Sequence, residues 1–209
     1  DLANAITEYW NEIQTGGVVV GKWIRQLYDV LMQGFSENRW FYDERLANNA
    51  IGFIHRYCHH YKGQMAPRRI RLELWERAGI SDIFGIVDGA GKRQFSQVFW
   101  PVGRKQGKTL IAAGVGTYMG YAAGEYGSEI YYLAPKLEQA DLAYSALEFN
   151  VHAEPELDAI TRSTKYRGLM IQETNTMIRK LAFTSKKSDG YSPQFFCADE
   201  VSSWPGVAG

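Results

Sequence analysis

The segment FWPVGRKQGKTLIAAG, residues 99–114, constrains this chain more than any other part of its sequence. Gly107, Lys108 and Thr109 follow an apolar, β-rich stretch and precede a stretch whose small and apolar residues predict a helix. Backbone amides and the helix dipole attract anions at such a helix start, so the pattern predicts a phosphate-binding loop. In the usual pattern a glycine stands five residues before Gly107, whereas this chain has valine there and Gly103 one place later.

A pair of acidic residues supplies the second half of the predicted site. The apolar run FFCADE ends in Asp199 and Glu200, and Asp199 lies 199 − 108 = 91 residues after Lys108. We predict that Lys108 holds the β- and γ-phosphates of a nucleotide, that Thr109 and Asp199 hold Mg²⁺, and that Glu200 activates the attacking water. The alternatives are an ordinary strand-to-helix turn and a solvent-facing strand end.

The order of apolar patterns predicts an α/β fold. Apolar residues recur at helical spacing in AITEYWNEIQ, KWIRQLYDVLMQ and DERLANNAIGFIHRYCHHY. Helices are also predicted at KTLIAAGVGTYMGYAA, LEQADLAYSALEFN and near PELDAITRS, and strands at IFGIVD, RQFSQVFWPV, EIYYLAP, QFFCAD and within GLMIQETNTMIRKLAFTSK. This alternation favours a mainly parallel sheet flanked by helices, as in P-loop NTPases of the ASCE type with a RecA-like core.

We predict two parts in the chain, an N-terminal helical subdomain over residues 1–70 and a P-loop ATPase core over residues 71–209. The sequence begins without methionine and ends shortly after a predicted strand, so we expect the core to be truncated at its C-terminus.

Composition excludes other classes of protein. The 23 basic and 23 acidic side chains cancel, so no overall charge favours nucleic acid or an anionic membrane. No apolar run reaches the roughly 20 residues of a membrane-spanning helix, and the N-terminus lacks a secretory signal pattern. We therefore expect a soluble, intracellular protein with no membrane partner and with reduced thiols at Cys58 and Cys197.

Two smaller features were considered for binding. His55 and His59 stand four residues apart in HRYCHH, but no second ligand pair follows, so packed imidazoles explain them better than zinc. Local basic clusters are candidate contacts to DNA phosphates, which would be independent of base sequence: Lys62, Arg68, Arg69 and Arg71; Arg162, Lys165 and Arg167; Arg179, Lys180, Lys186 and Lys187.

The loop GRKQGKT resembles the variant Walker A motif of large terminase subunits, the ATP-driven DNA-packaging motors of tailed bacteriophages. In that motif an Arg-Lys pair precedes one variable residue and Gly-Lys-Ser/Thr, and Arg104, Lys105 and Gln106 occupy these places here. The resemblance continues, in the family's order, through FIHRYCHHYKGQ, the Trp75-Glu76 pair, IFGIVD, IYYLAPKLEQADLAYSALEF and TSKKSDGYSPQFFCADE. It covers the chain from about residue 40 onward.

This resemblance implies roles for further residues. Residues 103–109 would surround the phosphates, with Arg104 acting in cis as an arginine finger on the transferring phosphoryl group. The family has a tryptophan-glutamine pair thought to help read the base, and this chain has Glu76 after Trp75; a carboxylate accepts hydrogen bonds but cannot donate them. The coupling segment and nuclease domain of the family are not in these residues.

The resemblance also implies cofactors and partners. These are ATP with Mg²⁺, double-stranded DNA, a portal protein, a small terminase subunit and copies of the same chain in a ring. The protein would act in the host cytoplasm, transiently docked on the procapsid portal. The alternatives are a helicase-like DNA translocase, a non-hydrolysing nucleotide-binding assembly module, and a small-molecule kinase, which would not explain the Arg-Lys pair.

Overall fold

The structure, a computed structural model, describes residues 4–164, 168–182, 192–201 and 204. It divides into two compact units. The helical unit comprises Asp1–His55 and Arg71–Pro101, and the sheet unit comprises Arg56–Ile70 and Val102–Gly209. Four basic residues considered for DNA contact lie outside the described residues: Lys165, Arg167, Lys186 and Lys187.

From residue 4 onward the helical unit forms four helices and a short antiparallel strand pair: α1 (Ala5–Thr15), α2 (Lys22–Ser36), β1 (Phe41–Tyr42), most of α3 (Glu44–Tyr57), α4 (Leu74–Phe84) and β2 (Ile86–Val87). The three N-terminal helices lie where apolar spacing predicts them. Asn4 caps α1, since its side chain accepts hydrogen bonds from two backbone amides of the first turn. Apolar faces meet in a core formed by Ala5, Ile6, Tyr9, Ile13, Tyr28, Leu31, Ala78 and Ile86.

The strand predicted over RQFSQVFWPV does not form. The turn at DGAGK is present, since the amide of Asp88 donates to the carbonyl of Lys92 at 2.8 Å. Beyond it, residues 95–102 have no strand pairing. Aromatic packing replaces a ladder here, because the Trp100 ring lies against Gly79 of α4 and meets Trp75 edge to face at 6.1 Å. Phe99, in contrast, is 81% exposed.

A buried carboxyl group lies within the helical unit. Asp82 Oδ2 accepts a 2.9 Å hydrogen bond from the Tyr28 hydroxyl, while Oδ1 is shielded from solvent and has no hydrogen-bond partner among the described residues. The ring of Tyr9 packs edge-on against Tyr28, with centroids 4.9 Å apart. Burial raises the pKa of Asp82 from 3.8 to about 7, because an ionised carboxylate is poorly solvated there.

This carboxyl predicts a pH-dependent stability. Native Asp82 keeps its proton up to about pH 7, whereas in the unfolded chain this carboxyl has its ordinary pKa of 3.8, so unfolding releases a proton between these pH values. The stabilising contribution is therefore complete at low pH and is lost as pH rises through the folded pKa. We expect the free energy of unfolding to fall by roughly 3 kcal/mol between about pH 5 and about pH 8.

Urea unfolding followed by circular dichroism at several pH values measures this change. The matched variant Asp82→Asn has nearly the same shape but cannot ionise, and we expect it to lose this part of the pH dependence. An equal dependence in both proteins would show that other groups cause it.

The described residues of the sheet unit form three helices and a five-stranded sheet: α5 (Lys108–Tyr121), β3 (Glu129–Ala134), α6 (Leu137–Ala153), α7 (Pro155–Asp158), β4 (Thr161–Thr164), β5 (Gly168–Ile171), β6 (Thr176–Ala182) and β7 (Phe195–Ala198). The strand order is β4-β5-β6-β3-β7. β3 pairs in parallel with β6 and β7, and β5 is antiparallel to both its neighbours, so four of the five strands run in one direction. The predicted α/β fold with a mainly parallel sheet flanked by helices is confirmed.

Small residues let α5 lie close to the sheet. Gly120 faces the side-chain ends of Ile130, Ile171 and Ile178, each within 3.4 Å of where a Cβ would stand. At Gly116 there is no room for a Cβ, because the position would overlap the hydroxyl of Tyr132. That hydroxyl is buried and donates to the carbonyl of Ala112 at 2.9 Å, so helix and strand are joined by a hydrogen bond as well as by packing.

Helix α6 covers the same face of the sheet as α5. Lys180 of β6 lies over the ring of Tyr144 at 5.0 Å and forms an ion pair with Asp141. Lys180 shares its face of β6 with Ile178, which α5 contacts. Within the sheet unit both long helices therefore pack on one side.

The segment Arg56–Ile70 belongs to the sheet unit through polar contacts. The Glu154 carboxylate lies 2.7 Å from His59 Nε2 and accepts from Arg69 at 3.0 Å, and His59 Nδ1 faces the carbonyl of Pro67. The His59 imidazole thus connects Glu154 to the loop that carries Pro67. Cys58 is a buried free thiol and Cys197 a half-buried one. No helix of the described chain is both long and apolar enough to span a bilayer.

Candidate nucleotide-binding site

The loop before α5 has the backbone shape of an anion site. Gly107 is the N-cap with φ 80°, a left-handed conformation that glycine adopts without a steric penalty. Its carbonyl accepts the amides of Leu110 at 2.9 Å and Ile111 at 3.0 Å, which begins the helix. The first amides of a helix have no intrahelical acceptor, and together with the dipole of a 14-residue helix they favour a bound anion.

The acidic pair is fixed by backbone contacts after β7. The amide of Asp199 donates to the carbonyl of Leu133 at 2.9 Å, which extends the pairing between β7 and β3 by one residue. The Glu200 amide donates to Asp199 Oδ1 at 2.8 Å, and the Trp204 indole donates to the Asp199 carbonyl at 3.0 Å. Glu200 has φ 53°, a left-handed conformation that is disfavoured for glutamate.

The structure brings Lys108 to both acidic residues. Lys108 Nζ lies 3.0 Å from Asp199 Oδ1 and 3.1 Å from Glu200 Oε1. The three side chains are 37%, 27% and 41% exposed, so ligands can reach them from solvent. The hydrogen bond to Asp199 raises the pKa of Lys108, and the second bond to Glu200 acts in the same direction. The first residue of α5 and the two residues after β7 therefore form one charged cluster.

The other predicted loop residues surround this cluster in sequence and are open to solvent. Gly103, Arg104, Lys105 and Gln106 are exposed, and Thr109 is half-buried in the first turn of α5. Lys105 has φ 63°, so a second residue of the loop adopts the left-handed conformation. The roles predicted for these residues toward phosphate and Mg²⁺ stay predictions.

Trp75 and Glu76 lie in the helical unit, in the first turn of α4. The Glu76 carboxylate accepts the amide of Glu73 at 2.8 Å, and the Glu73 side chain accepts the Glu76 amide in return. This reciprocal arrangement is a capping box that stabilises the helix start. Burial raises the pKa of Glu76. Its carboxylate therefore has a structural task, while a contact of Trp75 or Glu76 with a nucleotide base stays a prediction.

The donor set of the cluster fits a magnesium nucleotide. Mg²⁺ prefers oxygen ligands, and the cluster offers the carboxylates of Asp199 and Glu200 beside a helix start that carries the hydroxyl of Thr109. Lys108 adds a mobile cation of the kind that binds phosphate oxygens. The cluster thus combines negative groups that suit the metal ion with a positive group that suits the phosphates.

One residue of this site was missed by the sequence analysis. Trp204 holds the Asp199 carbonyl through its indole N–H. Periodicity could not have identified it, since it follows the last strand in a polar stretch. The only sequence signal that could have identified Trp204 is that an aromatic hydrogen-bond donor follows the acidic pair by four residues.

Comparisons with known proteins identify the family and the fold. The family described as "Terminase large subunit, ATPase domain" matches residues 74–207. The crystal structure of the HK97 bacteriophage large terminase is similar to this fold, with a TM-score of 0.61 and 24% sequence identity. The match covers 73% of this chain and 30% of that chain. No curated protein matches the sequence.

Proposed function

The chain belongs to the terminase large subunit ATPase domain family, and on that premise we propose that it hydrolyses ATP to drive double-stranded DNA into a phage procapsid. The contact of Lys108 with both Asp199 and Glu200 supports this proposal, because it joins a helix start suited to phosphate to two carboxylates, one proposed to hold a metal and one proposed to accept a proton. The family assignment does not favour the helicase-like, assembly-module or kinase alternatives.

In the proposed site the amides of residues 107–109 and the ammonium of Lys108 bind the β- and γ-phosphates of ATP. Thr109 and Asp199 would hold Mg²⁺, which supplies positive charge beside the phosphate oxygens. Lys108 exchanges its carboxylate partners for phosphate when the nucleotide binds. The helix dipole of α5 favours the same negative charge.

Glu200 is proposed as the general base. Its carboxylate is partly exposed at 41%, so a water molecule can reach it beside the phosphate-binding helix start. It would accept a proton from the water that attacks the γ-phosphate. Arg104, exposed in the loop, would stabilise the negative charge that grows on the transferring group. Lys105 and Gln106 would complete the phosphate loop.

The proposed partners follow from the packaging function. They are DNA bound through its phosphates, a portal protein, a small terminase subunit and further copies of the chain in a ring, all in the host cytoplasm. Among the described basic residues, Arg162, Arg179 and Lys180 lie on strands of the sheet unit. Nonspecific phosphate contacts would suit a motor, which must move along every base sequence.

Nucleotide binding and turnover test the enzymatic part of this proposal. We expect calorimetry to detect MgATP binding, and we expect Lys108→Ala to lower kcat/KM for ATP by about 10²-fold or more, since charged phosphate contacts are removed. Packaging of DNA into procapsids, measured by protection from nuclease, tests the motor function. A parent protein that neither binds nor hydrolyses ATP, or a variant as active as an active parent, would overturn the assignment.

A further inference from the structure

We propose that Lys108, Asp199 and Glu200 form an autoinhibitory latch, in which the lysine excludes Mg²⁺ from the two carboxylates until a nucleotide's phosphates draw it away. This inference rests on the proposed function and adds a regulation to the same site. The latch is defined by the 3.0 Å contact to Asp199 and the 3.1 Å contact to Glu200. One ammonium group thereby occupies both acidic side chains at once.

The Asp199 oxygen that Lys108 contacts accepts two hydrogen bonds. Asp199 Oδ1 accepts Lys108 Nζ at 3.0 Å and the Glu200 amide at 2.8 Å. A cation that coordinates this oxygen must compete with both donors. Positive charge on Lys108 also opposes a second cation at the same carboxylates, because like charges at this separation repel. Metal binding is therefore disfavoured while the lysine stays in place.

The backbone of Glu200 is part of the latch. Its φ of 53° is disfavoured for a residue with a Cβ, and such conformations persist only where the surroundings hold them. Here the amide is bound to Asp199 Oδ1 and the carboxylate to Lys108 Nζ. When the Lys108 side chain moves away from Glu200, the second of these two contacts is lost. Glu200 is then free to turn toward water, which a general base must do.

Phosphate groups can open this latch. They carry more negative charge than a carboxylate, and the amides at the start of α5 add attraction that Asp199 and Glu200 do not receive. When Lys108 moves to phosphate, the two carboxylates lose their shared cation and attract a divalent metal. Nucleotide and metal binding then reinforce each other, and an acid pair without nucleotide stays closed to the metal.

The first experiment measures metal affinity without nucleotide. Mn²⁺ replaces Mg²⁺ because its free form is counted by electron paramagnetic resonance. We expect Lys108→Met, which keeps the chain length but removes the charge, to bind Mn²⁺ about tenfold more tightly than the parent, the effect of two partly exposed ion pairs. Lys108→Arg keeps the cation and should retain the parent's weak binding.

Lys136→Met is the matched control for charge. Lys136 is an exposed lysine that follows β3, the neighbour of β7 in the sheet, and it belongs to neither the loop nor the acidic pair. Its variant should bind Mn²⁺ as the parent does. Equal affinities in the parent and Lys108→Met would overturn the latch, and so would an equal gain in Lys136→Met, which would indicate a general effect of charge.

A second measurement tests the latch even if the Lys108→Met protein fails to fold. Asp199→Asn frees the lysine from one partner, so metal-free ATP in the presence of EDTA should bind it more tightly than it binds the parent. Unchanged or weaker binding would contradict the latch. A parent that binds no ATP at all would refute the proposed function instead, while the Mn²⁺ comparison would still decide whether Lys108 guards the carboxylates.

Discussion

Glu200→Gln is expected to lower ATP hydrolysis by about 10²- to 10⁴-fold while leaving MgATP binding intact, because the amide keeps the shape of the side chain but cannot accept the proton of the attacking water. Its contact with Lys108 weakens from an ion pair to a hydrogen bond from the ammonium to a neutral amide oxygen. Single-turnover hydrolysis of radiolabelled ATP measures the chemical step, and calorimetry measures binding on the same protein.

A matched control for this variant lies in the same unit. Glu138 is an exposed glutamate in the first turn of α6, outside the cluster of Lys108 and the two acids. Glu138→Gln should hydrolyse ATP at the parent's rate, which separates a base at one position from a general loss of negative charge. Parent-like single-turnover rates in Glu200→Gln would remove the general base assignment, and Asp199 would be the next candidate.

The second large effect concerns stability. Gly116→Ala is expected to lower the free energy of unfolding by about 3 kcal/mol, through overpacking and a disturbed buried hydrogen bond. The added Cβ would overlap the hydroxyl of Tyr132, whose side chain is 1% exposed and cannot swing into solvent. Leu147 lies 3.3 Å from the same position, so the methyl group has no alternative space.

Gly52 provides the comparison for this variant. It also lies inside a helix, α3, but no atom stands within 4 Å of the position that a Cβ would take. Gly52→Ala should therefore raise stability by roughly 0.5–1 kcal/mol, since alanine favours the helix more than glycine does. Urea unfolding of both variants tests the pair. Stabilisation of both variants would show that α5 can shift away from the sheet and that its contact with Tyr132 is not tightly packed.

The sequence predicts elements with strong apolar periodicity and fails where packing decides. α6 and β3 were predicted because their apolar residues repeat at helix and strand spacing. β4 was not predicted, since Thr161–Thr164 is an edge strand without an apolar residue. RQFSQVFWPV has a strand-like composition, but Trp100 finds its packing partner on Gly79, a contact that no local pattern encodes.

The family and the outline of the site were within reach of the sequence. The family predicted from these motifs is confirmed by the family match over residues 74–207, and the convergence of Lys108 with Asp199 and Glu200 is seen in the structure. Motif spacing does not encode that the lysine bonds both carboxylates, nor the left-handed backbone of Glu200. These features depend on how α5 packs against the sheet whose edge strand is β7.

The two cysteines of this chain have thiols that ionise only at high pH. Burial raises the pKa of Cys58 and of Cys197 to about 12, so almost none of either thiol is ionised near neutral pH, and the thiolate is the form that reacts with maleimides. Cys58 is buried and Cys197 is half-buried, so a dye on one introduced surface cysteine would label a single position once Cys197 is replaced by serine, and motion of the loop could then be followed.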